Sequence, residues 1–223
     1  MHIPDGYLSP QTGGFFYLIM APLWYAASRI VKNTLKARQV PYLAFGASFV
    51  FIIMMFNIPI PGGSTGHAVG GTLVAILLGP WAAMIAITVA LVVQALLFGD
   101  GGITALGANC FNMAFVLPFF GYYIYRLISI GSRKDSIRRA IAGAIGSYTG
   151  LNMAAFFAGV QFGLQPLLYH TVEGKALYCP YGLNVAVPVM LFEHIVLFGW
   201  IEAAVTFLVI RYLQKEDPGL ITG

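Results

Sequence analysis

Seven apolar runs, separated by short polar breaks, constrain this chain more than any other feature. They lie near residues 15–31, 41–57, 66–79, 81–98, 111–130, 140–168 and 184–213. A helix needs about 20 apolar residues to cross a bilayer, with a range of roughly 17–25. Five runs fit that length loosely, the third is short, and the sixth is long enough to extend beyond the lipid. Of the 223 residues, 59% are hydrophobic and only 9% charged, against about 25% charged in a soluble domain. A surface so poor in charge needs lipid as its solvent. In lipid the backbone must satisfy its own polar groups, which a helix does within one segment. The expected fold is therefore an all-α, polytopic membrane helix bundle of about seven transmembrane helices. No polar linker, low-complexity tract or internal repeat divides it, so residues 1–223 read as one membrane-embedded domain.

Only Gly79-Pro80 separates the third run from the fourth. Proline stops a helix or opens a new one, so this break is either a tight hairpin or a kink in one long helix. The basic residues choose between them. Arg29, Lys32, Lys36 and Arg38 follow run one; Arg126, Arg133, Lys134, Arg138 and Arg139 lie between runs five and six; Arg211 and Lys215 follow run seven. These are 11 of the 12 Lys and Arg residues, Lys175 being the other. Cytoplasmic loops carry the excess of Lys and Arg. Seven spans put all three clusters inside, with the N-terminus outside and the C-terminus inside, whereas six spans leave one cluster outside. The hairpin is therefore expected. The net charge of +4 then reflects topology and anionic lipid, with no nucleic-acid partner.

Enzyme motifs are scarce. There is no G-x-x-x-x-G-K-[ST] loop, so the chain is expected to carry no ATPase of its own. There is no G-x-S-x-G either, and 8 acidic residues with 4 His leave little for acid–base catalysis. Cys110 and Cys179 fall in or beside expected outer loops, and nothing in their spacing demands a bond. Glu193, His194 and Glu202 are the ionisable residues inside spans. Each is either a functional group or a structural helix–helix hydrogen bond.

The first residues carry metal chemistry. In Met1-His2 a free α-amine, the His2 peptide nitrogen and the His2 imidazole close a five-membered and then a six-membered chelate ring. Displacing the amide proton takes a strongly polarising ion, Ni²⁺ or Cu²⁺, and tetragonal nitrogen sites point to the same two metals. Three nitrogens leave the fourth corner of a square plane open. His67 follows Gly62-Gly63-Ser64-Thr65-Gly66 at the outer end of run three, on the side expected for the N-terminus. Ser64 and Thr65 are candidates to orient its imidazole through the second ring nitrogen. His194, a few turns into run seven, is the competing fourth ligand. No Lys or Arg precedes the first apolar run, so the start does not read as an ordinary signal peptide, although cleavage near Ala26-Ala27-Ser28 would remove the chelate. Residues 1–14 are thus expected to form an extracytoplasmic, metal-chelating tail whose amine matters more than its Met1 side chain.

Met1-His2-Ile3-Pro4-Asp5-Gly6-Tyr7-Leu8-Ser9-Pro10 resembles the opening of the CbiM/NikM family, the cobalt- and nickel-specific S components of energy-coupling factor (ECF) transporters. The resemblance continues through Pro61-Gly62-Gly63-Ser64-Thr65-Gly66-His67 and through Phe98-Gly99-Asp100-Gly101-Gly102-Ile103-Thr104-Ala105-Leu106-Gly107-Ala108-Asn109. It covers essentially the whole chain. It implies that Met1, His2 and His67 hold Ni²⁺ or Co²⁺ as transported substrate, with no organic cofactor. It also implies residence in a prokaryotic cytoplasmic membrane. The partners it implies are an ECF coupling membrane subunit, cytoplasmic ABC-type ATPase subunits and a small accessory membrane subunit. Many relatives read His-Ile-Met-Glu-Gly where this chain reads His-Ile-Pro-Asp-Gly, which leaves Ni²⁺ against Co²⁺ open.

Residues 100–113 are polar and glycine-rich for a span and are expected to form an outer loop or re-entrant stretch over the site. Asn109 and Asn112 there are candidates to bond the tail or the ligand histidines, or simply to serve turn chemistry. Small residues recur at Ala142, Gly146, Gly150, Ala154 and Ala158, a stripe that lets another helix approach, within the bundle or from a coupling subunit. Two other readings stay open: a vitamin-type S component, and a membrane enzyme using Glu193, His194 and Glu202.

Overall fold

The computed structural model describes residues 1–35, 40–60 and 64–221. Lys36, Arg38, Gly62, Gly63 and the side chain of Ser64 lie outside the described residues. The tail comprises residues 1–9, because α1 (Pro10–Thr34) begins earlier than its apolar run. Ser9 caps that helix by accepting the Thr12 N–H on its hydroxyl, and Pro10 occupies the first turn, where no N–H is needed. Next come α2 (Val40–Met55) and a small antiparallel hairpin of β1 (Ile58–Ile60) and β2 (Ser64–Gly66), in which Pro59 faces Thr65. Then follow α3 (Gly71–Leu78) and α4 (Pro80–Val93), which continues as a π turn, Gln94–Phe98. The next span joins α5 (Leu106–Asn109), a π turn over Cys110–Val116, and α6 (Leu117–Ser129). After it stands α7 (Ile137–Leu168). The last span joins α8 (Leu183–Glu193), a π turn over His194–Phe198, and α9 (Gly199–Glu216).

Five of these stretches are long and apolar enough to cross a membrane: Pro10–Thr34, Pro80–Phe98, Leu106–Ser129, Ile137–Leu168 and Leu183–Glu216. The shorter apolar α2 has 16 residues. The third run is helical over only part of its apolar length. Only Gly71–Leu78 is helical there, about 12 Å at 1.5 Å per residue, less than half of a bilayer core. The residues before it are held out of the helix by a strand pairing and by a left-handed Gly70, φ 74°. The chain does reverse at Gly79, whose φ of 88° no L side chain favours. A Cβ on Gly71 would stand 2.9 Å from Ile87 Cδ1, so α3 lies back along α4.

A correction concerns residues 100–113. From Leu106 onward they are helical, and Ala108, Asn109, Cys110, Asn112 and Met113 are buried. The glycine that argued against a span is what allows the packing: a Cβ on Gly107 would lie 2.6 Å from the Tyr17 nitrogen of α1. The small-residue stripe of α7 is likewise consumed inside the bundle. Gly146 and Gly150 face the carbonyls of Gly121 and Leu117 on α6 at 2.5 and 2.7 Å from where a Cβ would sit. Helix α7 packs against α6, α8 and α9 and forms the spine of the molecule. Cys110 and Cys179 are buried free thiols.

Candidate metal centre

The tail runs into the bundle instead of lying over it. Met1, His2 and Ile3 are buried at 0, 3 and 0% exposure. The apolar Met1, Ile3 and Leu8 side chains join the core, each worth about 1.5–3 kcal/mol relative to exposure. Polar contacts set the register. Asn109 Oδ1 accepts the Ile3 N–H at 2.8 Å and its Nδ2 donates to the Ile3 carbonyl at 3.1 Å. The Gly102 N–H donates to the same carbonyl at 2.8 Å. The Asp5 carboxylate accepts from the N–H groups of Ile103 and Thr104, at 3.2 and 2.8 Å, and from the Thr104 hydroxyl. Those bonds hold Asp5 below its ordinary range. On the other side the Cys179 N–H donates to the Tyr7 carbonyl at 3.1 Å, and Gln165 Oε1 accepts the Ser9 N–H at 2.9 Å. A Cβ on Gly102 would overlap Asp5, so the loop can approach the tail only as glycine.

This docking brings His2 against His67, with ring centroids 4.6 Å apart and planes inclined by 31°. His67 is fully buried. Its Nδ1 donates to the Ala68 carbonyl at 3.1 Å, and its Nε2 has no hydrogen-bond partner among the described residues. A buried ring nitrogen without a partner is costly unless something else fills its lone pair. His2 Nε2 donates to Gln94 Oε1 at 3.2 Å, which leaves Nδ1 as the basic nitrogen, 3.4 Å from Asp100 Oδ1. Nδ1 is the atom that closes a six-membered ring with the His2 peptide nitrogen. Burial lowers the Met1 amine from 8.0 to about 5, against the opposing fields of Asp100 and Glu193, and lowers His2 from 6.5 to about 3. Both nitrogens are therefore neutral and ready to donate at neutral pH. Burial raises Asp100, while the Met1 amine and the Asn57 hydrogen bond pull it down.

The loop that carries His67 is gripped from the far end of the chain. The Glu202 carboxylate accepts the Val69 N–H at 2.7 Å and the Gly70 N–H at 2.9 Å. It caps the N-terminus of α3 through these two bonds. Gly66 lies flat under Phe198, whose ring a Cβ there would overlap. Phe198 also contacts His194, with centroids 5.5 Å apart. His194 is fully buried, donates from Nδ1 to the Met190 carbonyl at 2.7 Å, and its Nε2 has no hydrogen-bond partner among the described residues. Thr65 Oγ1 is buried without such a partner among the described residues, and the His67 Nδ1 it was expected to orient bonds the Ala68 carbonyl instead. Asn112 pairs with Gln161 in both directions at 2.8 Å and so faces away from the tail.

Gln94 and Asp100 are the residues that sequence reasoning missed. The signal for Gln94 was a lone amide inside an apolar run. Among the described residues, no three His, Cys, Asp or Glu side chains converge as a metal cluster.

The fold and site define a polytopic membrane protein whose own N-terminus fills a buried, nitrogen-rich centre. The chain belongs to the CbiM family, the cobalt uptake substrate-specific transmembrane region, which matches residues 2–220. The fused nickel transport protein NikMN of Rhodobacter capsulatus is 49% identical over 99% of this chain and 64% of its own length. The cobalt transport protein CbiM of Chlorobium limicola is 34% identical over 74% of this chain and 67% of its own. This chain thus spans about two thirds of those relatives. A crystal structure of a transition metal transporter is 54% identical and superposes with a TM-score of 0.93, covering 97% of this chain and 94% of that one.

Proposed function

We propose that this chain is the substrate-binding S component of an ATP-driven ECF importer for Ni²⁺ or Co²⁺. The metal is held by the Met1 amine, the His2 peptide nitrogen, His2 Nδ1 and His67 Nε2. The observation that carries this reading is the 4.6 Å approach of the His2 and His67 rings, with a buried Nε2 on His67 that has no hydrogen-bond partner among the described residues. Four nitrogens in one plane suit a tetragonal ion, and Ni²⁺ best satisfies the need to displace an amide proton. The nickel and cobalt transport names of the relatives favour the same cargo. Seven crossing segments, N-terminus outside and C-terminus in the cytoplasm of a prokaryotic cell, keep the basic clusters inside. Without an ATPase motif of its own, the chain relies on a coupling membrane subunit and cytoplasmic ABC-type ATPases, with a small accessory membrane subunit as a further partner.

The rival readings fare worse. Met1, His2 and Ile3 are packed into the bundle, which favours a small ion over an organic substrate beside His67. Glu202, needed for the enzyme reading, is committed to two main-chain N–H groups.

Metal titration of the native protein and of one extended by a single N-terminal residue tests the proposal. The native protein should bind Ni²⁺ with a visible absorption band of square-planar type. The extended protein should lose tight binding, because the amine sits in a fully buried position. Equal affinity of the two proteins overturns the chelate.

A further inference from the structure

Asp100 stands where a metal on His2 would feel its charge. Its Oδ1 lies 3.4 Å from His2 Nδ1, and its Oδ2 accepts from Asn57 Nδ2 at 3.1 Å. The Asp100 N–H donates to the Gln94 carbonyl at 3.1 Å, while the Gln94 side chain accepts from His2 Nε2. One residue thus brackets the imidazole, holding one ring nitrogen directly and the carboxylate facing the other through its main chain. The flanking Gly99 and Gly101 adopt φ of 65° and 88°, a turn that aims Asp100 inward. The Asp100 side chain remains 17% exposed.

The charge count of the proposed centre, on which this inference rests, asks for such a group. Ni²⁺ bound by a neutral amine, two neutral imidazoles and one amide nitrogen that has released its proton to solvent carries one net positive charge. An uncompensated charge inside a bundle of low dielectric is costly. We infer that Asp100 is the counter-charge of the metal centre, an ionised carboxylate outside the donor plane that brings the loaded site to neutrality. Glu193 on α8 is the other carboxylate whose field reaches the Met1 amine, and it acts there more weakly than Asp100.

Ni²⁺ affinity by chelator competition, read with the visible band of bound Ni²⁺, tests this in the full chain. Asp100→Asn and Asp100→Ala should each weaken Ni²⁺ binding by about 10–100-fold, the range for losing a group just outside the ligand set. The band should keep its position. Asp100→Glu should bind at least tenfold more tightly than Asp100→Asn, and Glu193→Gln should change affinity by less than about threefold. The Ala variant controls for the new amide donor of the Asn variant, and the Glu variant restores the charge if shape alone disturbs the fold. Asn and Ala variants that bind within about threefold of the native protein overturn the inference. So does a shifted band, which would make Asp100 a ligand, or a Glu variant as weak as the Asn variant. The underlying four-nitrogen reading fails separately, if native protein shows no square-planar band.

Discussion

Asn109 bonds both main-chain polar atoms of Ile3, accepting its N–H at 2.8 Å and donating to its carbonyl at 3.1 Å. A strand neighbour would pair with a residue in the same way, yet here one side chain at the end of a short helix does it. The atoms of Met1 and His2 proposed to chelate the metal lie immediately upstream of this clamp. Asn109→Ala leaves two buried main-chain groups short of a partner, at about 1–3 kcal/mol for each that stays unsatisfied. The carbonyl keeps the Gly102 N–H, so the loss should come mainly from the Ile3 N–H. Ni²⁺ affinity should fall roughly tenfold or more by calorimetry, with faster amide exchange in residues 1–9. Asn112→Ala should leave tail exchange unchanged, since Asn112 bonds Gln161.

Proton counting separates a docked tail from a free one. The docked amine sits at about 5 against 8.0 when released, and His2 at about 3 against 6.5. Between those values the released tail binds more protons, so docking is fully favoured above about pH 8. It weakens as pH falls through 8 for the amine and 6.5 for His2. Asp5 works in the same direction, since its bonds hold it below its ordinary 3.8, and it matters only near and below that value. Near pH 7 the docked amine and imidazole have no proton to give, so Ni²⁺ should release about one, from the His2 amide. Calorimetry in buffers of different ionisation enthalpy measures this number, and release of two or three protons would contradict a pre-docked neutral amine.

Among the described residues the Nε2 atoms of His67 and His194 are both buried without a hydrogen-bond partner, but the ring beside His2 is that of His67. His67→Ala should therefore abolish tight Ni²⁺ binding, and His194→Ala should cost far less. Glu202→Ala should fall between them, because it frees the Val69 and Gly70 N–H groups that hold the His67 loop. An equal or larger loss from His194→Ala would move the site into the last span.

Helix α7 runs without interruption for 32 residues, about 48 Å at 1.5 Å per residue. Ser136 and Thr171 lie just beyond its two ends. Single cysteines at those positions, with the buried Cys110 and Cys179 replaced by alanine, should label from opposite sides of the membrane. Labelling of Ser136 from the cytoplasm agrees with the basic cluster beside it; labelling of both from one side would contradict the seven-span arrangement.

The membrane class and the spans over 140–168 and 184–213 were legible because apolar composition and run length are local quantities. The hairpin at Gly79-Pro80 was legible through charge parity, and the burial of Met1 and His2 beside His67 was not. The tertiary structure alone decided which distant polar groups meet. Nothing local distinguishes Asn109, which clamps the tail, from Asn112, which pairs with Gln161; only the face each presents on a packed helix does so. Gln94 and His194 each open a π turn, a one-residue widening with no compositional mark. The short α3 and the grip of Glu202 on its start depend on residues more than a hundred positions apart. Hydrophobic periodicity reports which way a helix faces, whereas a pairing between two buried polar atoms exists only once separate helices have packed.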